Sequence, residues 1–392
     1  MTSKENQSTG ANLPYGRHSV DEEDISEVIR VLSGDWLTTG PEIRRFEQAL
    51  EEFLDVPHCV AVSSGTAALH CAMQVSNVGP GDEVLVPALT FAASANAALY
   101  VGAKPIFVDV EPDTLLIDLA SVHARITERT KAIVAVDYAG QMADYEELNR
   151  ISKERGIAIV ADRCHAIGAK HARMSTGDLA AASAFSFHPV KHITSGEGGV
   201  VALADPERAA AARRFRNHGI ATDHRERDRL ATHSYDMVDL GYNYRLTDLQ
   251  AALGRNQLRR LPGWLARRRE IAARYDQMFA GMPWLVPLSK RVGRDHAYHI
   301  YVVALNLDRL TCDRDRIFEE LRANGIGANV HYVPVHLHSY YRTRLGCQPG
   351  LCPVAEAEYR RILTLPLYPA MTESDIERVV GTIERICRKY SV

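Results

Sequence analysis

The chain has 392 residues, of which 46% are hydrophobic and 24% charged, and its formal net charge is −3. This length and composition are typical of a globular protein with more than one core, and the charge offers no basic footprint for nucleic acid. No apolar run approaches the roughly 20 residues of a membrane span. The polar segment Met1–Asn12 has no apolar core, so neither a signal peptide nor a transit peptide is expected.

The cysteines indicate a reducing compartment. There are seven of them, scattered along the chain, and no CxxC pair occurs. An odd number of unpaired cysteines favours free thiols and a cytoplasmic location. Two histidines and two cysteines between positions 336 and 352 match no closed zinc-site spacing, so no metal is expected.

The first elements are predicted to be helices. A helix beginning near Val20 carries Ile25, Ile29 and Leu32 at helical spacing, which predicts one apolar face against the core. A loop follows at Gly34–Pro41, because glycine and proline favour turns, and a second helix begins at Pro41. The tryptophan and two threonines in that loop could pack in the interior or contact a ligand.

Short apolar runs then alternate with helical stretches. The runs lie at 59–62, 83–87, 105–108, 132–136, 157–161, 182–187 and 200–203. Continuous apolar strands are typical of a mainly parallel sheet covered by helices on both faces, which is an α/β fold. The first strand ends in Ser63-Ser64-Gly65-Thr66, which could be a phosphate cradle at a helix N-terminus or a simple helix cap.

Several polar or aromatic residues stand at or just past the carboxyl ends of these strands. They are Ser64, Phe91, Asp162 and Lys191. Ligands of such sheets bind at the carboxyl ends of the strands, so these positions predict a site. Phe91 could instead belong to the core, or it could stack on an aromatic ring.

Lys191 is the strongest candidate for chemistry. A lysine just past a buried strand is partly desolvated, which favours its free amine and suits it to Schiff-base formation with an aldehyde cofactor. A surface lysine is the plain alternative. Asp162 needs a partner at the end of a buried strand, and a pyridinium N–H, Arg163 or a helix N-terminus could supply it.

The C-terminal part is predicted to be a smaller α+β unit. Residues 221–239 are polar and predict a surface loop, and a helix beginning near Pro262 carries Arg267, Arg268 and Arg269 as a solvated face. Residues 299–305 and 328–333 read as strands, and Thr372 with Asp375 predicts a capped last helix. We therefore expect a large domain over residues 1–255 and a small C-terminal domain over 256–392.

Separated motifs of the chain resemble the sugar-nucleotide aminotransferases of the DegT/DnrJ/EryC1/StrS family, from Leu13 to the end. The resemblance implies the fold of the type I pyridoxal-phosphate aminotransferases, with a mainly parallel sheet flanked by helices and a smaller α+β domain. The motifs are Ser64–Ala67, Thr90-Phe91, Asp162 with His165, Ser186–Lys191 before Gly196–Gly199, Gly241–Arg245 and His331–Pro334.

The resemblance also implies roles for individual residues. Lys191 would bind pyridoxal 5′-phosphate covalently and then carry the proton, Asp162 would pair with the ring nitrogen, and His165 would lie near the ring hydroxyl. Phe91 would stack on the ring. Asn243 would reach the cofactor phosphate of a neighbouring subunit, which implies a homodimer with shared active sites. The cofactor phosphate would be held by Ser64, Gly65, Thr66 and Ser186.

Within the family, four segments are similar to the transaminases of pseudaminic acid synthesis. The likeness implies transfer of an amino group from L-glutamate to a UDP-linked 4-keto-6-deoxy-N-acetylhexosamine, giving UDP-4-amino-4,6-dideoxy-N-acetyl-β-L-altrosamine. The segments are Leu13–Tyr15, Val136–Gly140, Lys191–Thr194 and Val330–Tyr332. The implied nucleotide-sugar contacts are Tyr15, Asp35, Trp36, Leu37, Thr38, His331 and Tyr332.

One residue departs from the family pattern, and other functions stay open. Arg163 stands where a small residue is expected, and its guanidinium could compete for Asp162. Other nucleotide 4-ketosugars are alternative substrates, including those of UDP-4-amino-D-sugar and GDP-perosamine synthesis. A dehydratase on the same fold would carry histidine in place of Lys191. A non-catalytic regulator would show a broken site or an added DNA-binding segment, and the sequence shows neither.

Overall fold

The computed structural model describes residues 12–222, 227 and 231–392. The polar segment 1–11 and part of the predicted surface loop 221–239 lie outside the described residues. The helices are α1 Glu22–Leu32, α2 Pro41–Leu54, α3 Gly65–Val75, α4 Ala92–Tyr100, α5 Leu119–Arg125, α6 Tyr145–Arg155, α7 Thr176–Leu179, α8 Pro206–Phe215, α9 Asp248–Phe279, α10 Arg314–Ala323, α11 Ser339–Leu345, α12 Pro353–Tyr359 and α13 Glu373–Lys389. The strands are β1 His58–Val62, β2 Glu83–Pro87, β3 Lys104–Val108, β4 Thr130–Val136, β5 Ala158–Asp162, β6 Ala182–Ser186, β7 Gly199–Leu203, β8 Leu285–Pro287, β9 Tyr301–Leu305 and β10 Ile362–Leu365.

The large sheet confirms the predicted α/β architecture. Its seven strands lie in the order β1-β7-β6-β5-β4-β2-β3. The pairings from β3 through β2, β4 and β5 to β6 are parallel, whereas β7 runs antiparallel to both of its neighbours. Helices cover both faces of this sheet, which explains why its strands are continuous apolar runs.

Three apolar cores organise the chain. One face of the large sheet packs with α3 and α4 around Met73 and Phe107. The other face packs with α2, α6 and α9 around Phe46 and Tyr145. A third core lies between the end of α9, the small antiparallel sheet β10-β9-β8 and α13.

The expected strand at 328–333 is wrong. Only an isolated bridge between Asn329 and Thr364 forms in this part of the described chain. Asn329 exchanges both backbone hydrogen bonds with Thr364, at 3.0 and 2.8 Å. After this one bridge the segment leaves the sheet, and the hydroxyl of Tyr138 bonds to the backbone carbonyl of His331.

The expected break before Pro262 is also wrong. The helix α9 runs without interruption from Asp248 to Phe279, with Pro262 inside it and a capping box formed by Thr247 and Gln250. Its first half packs against α1 and α2, and its second half against α13 and β8. The expected domain boundary at 255/256 therefore falls within a helix that contributes to the second and the third of the three apolar cores. The division of the chain into two domains stays a prediction.

The arginine run on α9 was expected to be solvated, but one of its three arginines is buried. Arg268 is 2% exposed. One of its terminal nitrogens donates to the backbone carbonyls of Tyr298, His299 and Leu367 at 3.1, 3.2 and 3.0 Å. Burial lowers the pKa of Arg268 to about 10, so the guanidinium stays charged at neutral pH. The middle arginine of the run therefore ties segments of the chain together instead of facing water.

The predicted apolar face of α1 does not face the core. Ile25, Ile29 and Leu32 are each more than half exposed. The buried residues of the helix are Asp24 and Val31, and Asp24 accepts hydrogen bonds from Asn256 at 2.8 Å and from other α9 side chains. The hydrogen bonds of this buried carboxylate therefore determine which side of α1 is buried, although the apolar stripe favours the other side.

Candidate active site

A cavity of about 720 Å³ opens at the carboxyl ends of the large sheet. Strands β1, β2, β5 and β6 each deliver residues to it from their ends or from the turns that follow, as expected for parallel strands. Most of the predicted site residues line it. They are Tyr15, Ser64, Gly65, Thr66, Phe91, Asp162, His165, Ser186, Lys191, His331 and Tyr332.

Lys191 lies in the turn that follows β6. Its backbone N–H bonds to the carbonyl of His188 at 2.8 Å. Burial lowers the pKa of its side chain, and the opposing effect of Cys164 and Asp162 is smaller. The free amine is therefore more accessible near neutral pH than that of an exposed lysine, which makes Lys191 the available nucleophile of the cavity.

Asp162 is the last residue of β5 and is 6% exposed. One carboxylate oxygen accepts from the Ser94 hydroxyl at 2.6 Å, and Ser94 shares a 2.8 Å hydrogen bond with Thr90. The other oxygen accepts the backbone N–H of Cys164 at 3.2 Å. Each oxygen keeps further acceptor capacity, so the carboxylate could also take a ring N–H.

Arg163 does not compete for this carboxylate. Its guanidinium bonds to Asp137 at 3.0 Å, to Thr176 at 3.1 Å and to the carbonyl of Ala169 at 2.8 Å. Arg163 directly follows the end of β5, and its contacts are all with groups other than Asp162. The Asp162 carboxylate is therefore free of the contact with Arg163 that the sequence made possible.

One end of the cavity is suited to an anion. Ser64 caps the N-terminus of α3, where its hydroxyl accepts the N–H of Ala67 at 3.1 Å. A Cβ on Gly65 would lie 2.7 Å from the Cβ of Ser186, so only glycine allows the two segments to approach this closely. Hydroxyl groups and free N–H groups at a helix N-terminus are a common phosphate site.

Neutral imidazoles line another wall. The Nε2 of His165 shares a hydrogen bond with the Tyr332 hydroxyl at 2.9 Å, and the Nδ1 of His331 bonds to Thr364 at 2.8 Å. Burial, with a smaller effect of Lys191, lowers the pKa of His331 to about 3 and that of His165 well below its usual value. The buried Nδ1 of His165 has no partner among the described residues and is available to a ligand.

The sequence interpretation missed some residues of the site. Ser94 contacts Asp162 across 68 positions of sequence, and it also bonds to Thr90, which lies just before α4. His299 lines the cavity, with its ring centroid 4.4 Å from that of His165. It lies just before β9, and no local pattern marks it.

Other predicted residues do not line this cavity. Asp35, Trp36, Leu37 and Thr38 lie between α1 and α2, where Thr38 bridges to Thr247. Asn243 bridges to Asn217 instead. Within one chain, these five residues therefore lie outside the cavity that contains Lys191.

Neither a metal cluster nor a membrane-spanning helix is found in residues 12–222, 227 and 231–392. No group of three or more potential ligands lies together in that part of the chain, and none of its helices is long and apolar enough for a bilayer. His336 bonds to Glu356 at 2.8 Å. Cys347 and Cys352, like the other cysteines, are free thiols.

Comparisons with known proteins agree with this geometry. The model of the DegT/DnrJ/EryC1/StrS aminotransferase family matches residues 18–384. The uncharacterized protein MJ1066 of Methanocaldococcus jannaschii is 36% identical over 95% of this chain and 97% of its own length. The putative sugar aminotransferase Spr1654 of Streptococcus pneumoniae is 34% identical, with a TM-score of 0.91 over 96% of this chain and 100% of that one. The Helicobacter pylori aminotransferase PseC is 30% identical, with a TM-score of 0.89 over 97% and 100%.

The residues of the cavity fit the cofactor of these relatives. Spr1654 has been solved in PLP and PMP forms, so its cofactor is pyridoxal phosphate. A desolvated lysine suits the aldehyde, a buried carboxylate suits the ring N–H, and the helix N-terminus at Ser64 suits the phosphate. The chain therefore belongs to the DegT/DnrJ/EryC1/StrS aminotransferase family and is a pyridoxal-phosphate-dependent sugar aminotransferase.

Proposed function

We propose that this enzyme moves an amino group from L-glutamate to C4 of a UDP-linked 4-keto-6-deoxy-N-acetylhexosamine in the cytoplasm. The product would be UDP-4-amino-4,6-dideoxy-N-acetyl-β-L-altrosamine, a precursor of pseudaminic acid. The observation that carries the reaction type is Lys191 in a cavity with Asp162. The similarity to PseC, an aminotransferase of pseudaminic acid biosynthesis, supports the substrate, and the free cysteines support the compartment.

Different side chains of the cavity would have different roles in the amino transfer. When bound, pyridoxal phosphate supplies an electron-withdrawing ring that stabilises the charge left by proton removal. Lys191 would bind the cofactor at its aldehyde carbon and, as a free amine, take and return that proton. Asp162, oriented by Ser94, would keep the ring nitrogen protonated, and the neutral Nδ1 of His165 would face the ring hydroxyl.

The remaining predicted residues would hold the cofactor phosphate and the sugar nucleotide. Ser64, Gly65, Thr66 and Ser186 surround the anion-binding end of the cavity, and Phe91 would stack on the ring. Tyr15, His331 and Tyr332 form a wall of aromatic and imidazole rings, with Tyr15 and His331 at a centroid distance of 5.2 Å. Such a wall suits a base or a sugar ring.

We also propose that Asp35–Thr38 and Asn243 act in the cavity of a second copy, within a homodimer. They do not line the cavity of their own chain, although the family resemblance assigns them ligand contacts. Trp36 and Leu37 are 43% and 50% exposed, and the apolar stripe of α1 is exposed nearby in sequence. An exposed apolar surface of this kind is typical of an interface.

Subunit mixing tests the shared site. Lys191→Ala and Asn243→Ala should each be inactive alone, whereas refolded mixtures should regain roughly a quarter of wild-type activity. Half of the dimers would be mixed, and each would contain one site with both residues intact. If Asn243 serves its own chain, every site in the mixture lacks one residue and no activity returns.

The substrate is tested with a panel of nucleotide 4-ketosugars and L-glutamate, with products identified by mass spectrometry. The expected result is UDP-4-amino-4,6-dideoxy-N-acetyl-β-L-altrosamine, formed from the UDP-linked N-acetylated 4-ketosugar of the L series. Amine formed only from a D-configured UDP sugar or from a GDP sugar would replace the proposed substrate with the corresponding alternative. No amine from any of them would contradict the sugar-nucleotide assignment.

A further inference from the structure

A buried turn of three residues, Tyr138–Gly140, follows β4 and has no role in the proposed function. It belongs to Val136–Gly140, one of the segments that resemble the transaminases of pseudaminic acid synthesis. Its residues are buried, and they do not line the cavity that contains Lys191. Any effect of this turn on the reaction must therefore pass through the residues that it contacts.

Tyr138 contacts the segment that carries His331. Its hydroxyl donates a hydrogen bond to the backbone carbonyl of His331, 193 positions later in the chain. Burial raises the pKa of Tyr138, so the hydroxyl keeps its proton and stays a donor. The next residue, Tyr332, bonds to His165 through its own hydroxyl at 2.9 Å. The placement of His331 and Tyr332 therefore depends on a hydrogen bond from the turn.

The rest of the turn contacts the other two buried imidazoles that line the cavity. The carbonyl of Ala139 accepts the backbone N–H of His299 at 2.9 Å. Gly140 has a φ of +103°, and a Cβ there would lie 2.8 Å from the carbonyl oxygen of His165, so this close approach requires glycine. The ring centroids of His165 and His299 are 4.4 Å apart. The turn therefore lies against the backbones of two residues whose rings are in contact.

Three distant segments of the chain thus meet at one turn. They contribute His165 after β5, His299 before β9 and His331 after the bridge at Asn329. All three imidazoles line the cavity, and we call them the histidine wall. Because protein interiors are close-packed, the placement of the turn determines the placement of this wall.

We propose that the turn positions the histidine wall and that Tyr138 is a positioning residue for the sugar nucleotide. The inference rests on the proposed function, in which His331 and Tyr332 contact that substrate. The Tyr138 hydroxyl acts through the His331 carbonyl and does not touch the ligand. The side chains of Lys191 and Asp162 make no hydrogen bond with the turn in the described part of the chain, so the exchange with glutamate should not depend on it.

Tyr138→Phe tests the hydroxyl, because it removes one oxygen atom and keeps the ring. The substrate is the nucleotide 4-ketosugar that the unmutated enzyme aminates fastest. We expect its KM to rise about tenfold, the factor for one buried hydrogen bond. The glutamate half-reaction, followed at the absorption of the bound cofactor, should stay within about twofold of the unmutated rate.

Tyr145→Phe is the matched control. It removes an equally buried hydroxyl, which donates to Asp137 at 2.9 Å and does not reach the histidine wall. This variant should lose stability and keep the KM of the unmutated enzyme. An equal KM in the two variants, or a glutamate half-reaction that slows as KM rises, overturns the positioning role of Tyr138.

Hydrogen exchange measured by mass spectrometry needs no substrate and separates this inference from the proposed function. In the cofactor-loaded protein, residues 329–333 should exchange about tenfold faster in Tyr138→Phe than in the unmutated enzyme, and Tyr145→Phe should not change them. Unchanged exchange at 329–333 in Tyr138→Phe overturns the proposal. If the unmutated enzyme aminates no nucleotide 4-ketosugar, the proposed function fails, and the exchange alone decides whether Tyr138 positions the histidine wall.

Discussion

At the scale of single residues, burial distinguishes Lys191 from the exposed lysines of the chain. We expect Lys191→Ala to lose all covalent attachment of pyridoxal phosphate after borohydride reduction, because no other amine in the cavity replaces it. Mass spectrometry of the reduced protein measures this. Lys153→Ala, which changes an exposed lysine on α6, should keep the attached cofactor. Full labelling of Lys191→Ala would disprove the assignment of the nucleophile.

Arg163 and Asp137 form an ion pair in which both side chains are at most 1% exposed. Arg163→Met should lower the free energy of unfolding by about 3–5 kcal/mol, because it leaves the Asp137 carboxylate buried without its cation. Urea unfolding monitored by circular dichroism measures the change. The double variant Arg163→Met/Asp137→Asn should recover part of the lost free energy of unfolding. Arg173→Met serves as the control, since that side chain is 81% exposed, and equal effects of the two single variants would refute the argument.

The position of a residue in the cavity was predictable where it lies at the end of a strand or shortly after it. Asp162 ends β5, and Ser64 and Lys191 lie shortly after β1 and β6, so all three line the cavity, while their roles stay a prediction. Arg163 was misjudged because the sequence does not show on which side of β5 its guanidinium finds Asp137, 26 positions away. Ser94 and His299 were missed because only the folded chain brings Ser94 to Asp162 and His299 to the cavity.

At the scale of elements, α9 positions two parts of the cavity wall through Arg268. The guanidinium holds the carbonyls of His299 and Leu367, and the N–H of Leu367 donates to the carbonyl of Tyr15 at 3.0 Å. Arg268→Met should therefore raise KM for the sugar nucleotide by about tenfold, whereas Arg268→Lys keeps a buried donor and should raise it less. Steady-state kinetics at fixed glutamate measures KM.

Arg267→Met is the matched control for this effect. Its guanidinium bonds to the carbonyl of Met371, away from the cavity. If both substitutions change KM equally, or if Arg268→Met lowers only the melting temperature, Arg268 does not position the wall. A spectrum of the bound cofactor that is unchanged in Arg268→Met would place the effect on the sugar nucleotide side.

Elements themselves were predicted well, and their orientation less so. The seven strands of the large sheet and the caps at Ser64 and Thr372 follow from local patterns, and the structure confirms them, whereas the strand expected at 328–333 does not form. The stripe of α1 predicted the wrong face because the buried hydrogen bonds of Asp24 outweigh three apolar side chains. Pro262 predicted a break that α9 does not have, because tertiary packing on both halves keeps the helix together.

At the scale of the whole molecule, buried neutral histidines make stability depend on pH. Burial lowers the pKa of His70 to about 4 and those of His296 and His331 to about 3. Above pH 6.5 these histidines are neutral in both states, so they add no pH dependence. Below it the unfolded chain binds protons that the folded chain does not, and each histidine should cost about 1.4 kcal/mol per pH unit until its folded pKa is reached.

Unfolding in urea at pH values of about 7.5, 6.5 and 5.5 measures this dependence. His70→Gln should reduce the slope between the two lower values, whereas a change at His123, whose side chain is 46% exposed, should leave it unaltered. A stability that is flat from pH 6.5 to 5.5 would contradict the expected loss.

The antiparallel strand β7 lies between β1 and β6, and this has a consequence for synthesis on the ribosome. The first strand of the sheet pairs only with β7, which is translated roughly 140 residues later. At the usual elongation speed of about 5–20 residues per second, β1 waits roughly 7 to 28 seconds for its neighbour. During that interval the hydrogen-bonding edge of β1 lacks the strand with which it pairs in the described structure. Ser64, which follows β1, can reach its place in the cavity only once Gly199, which packs against its backbone, has emerged.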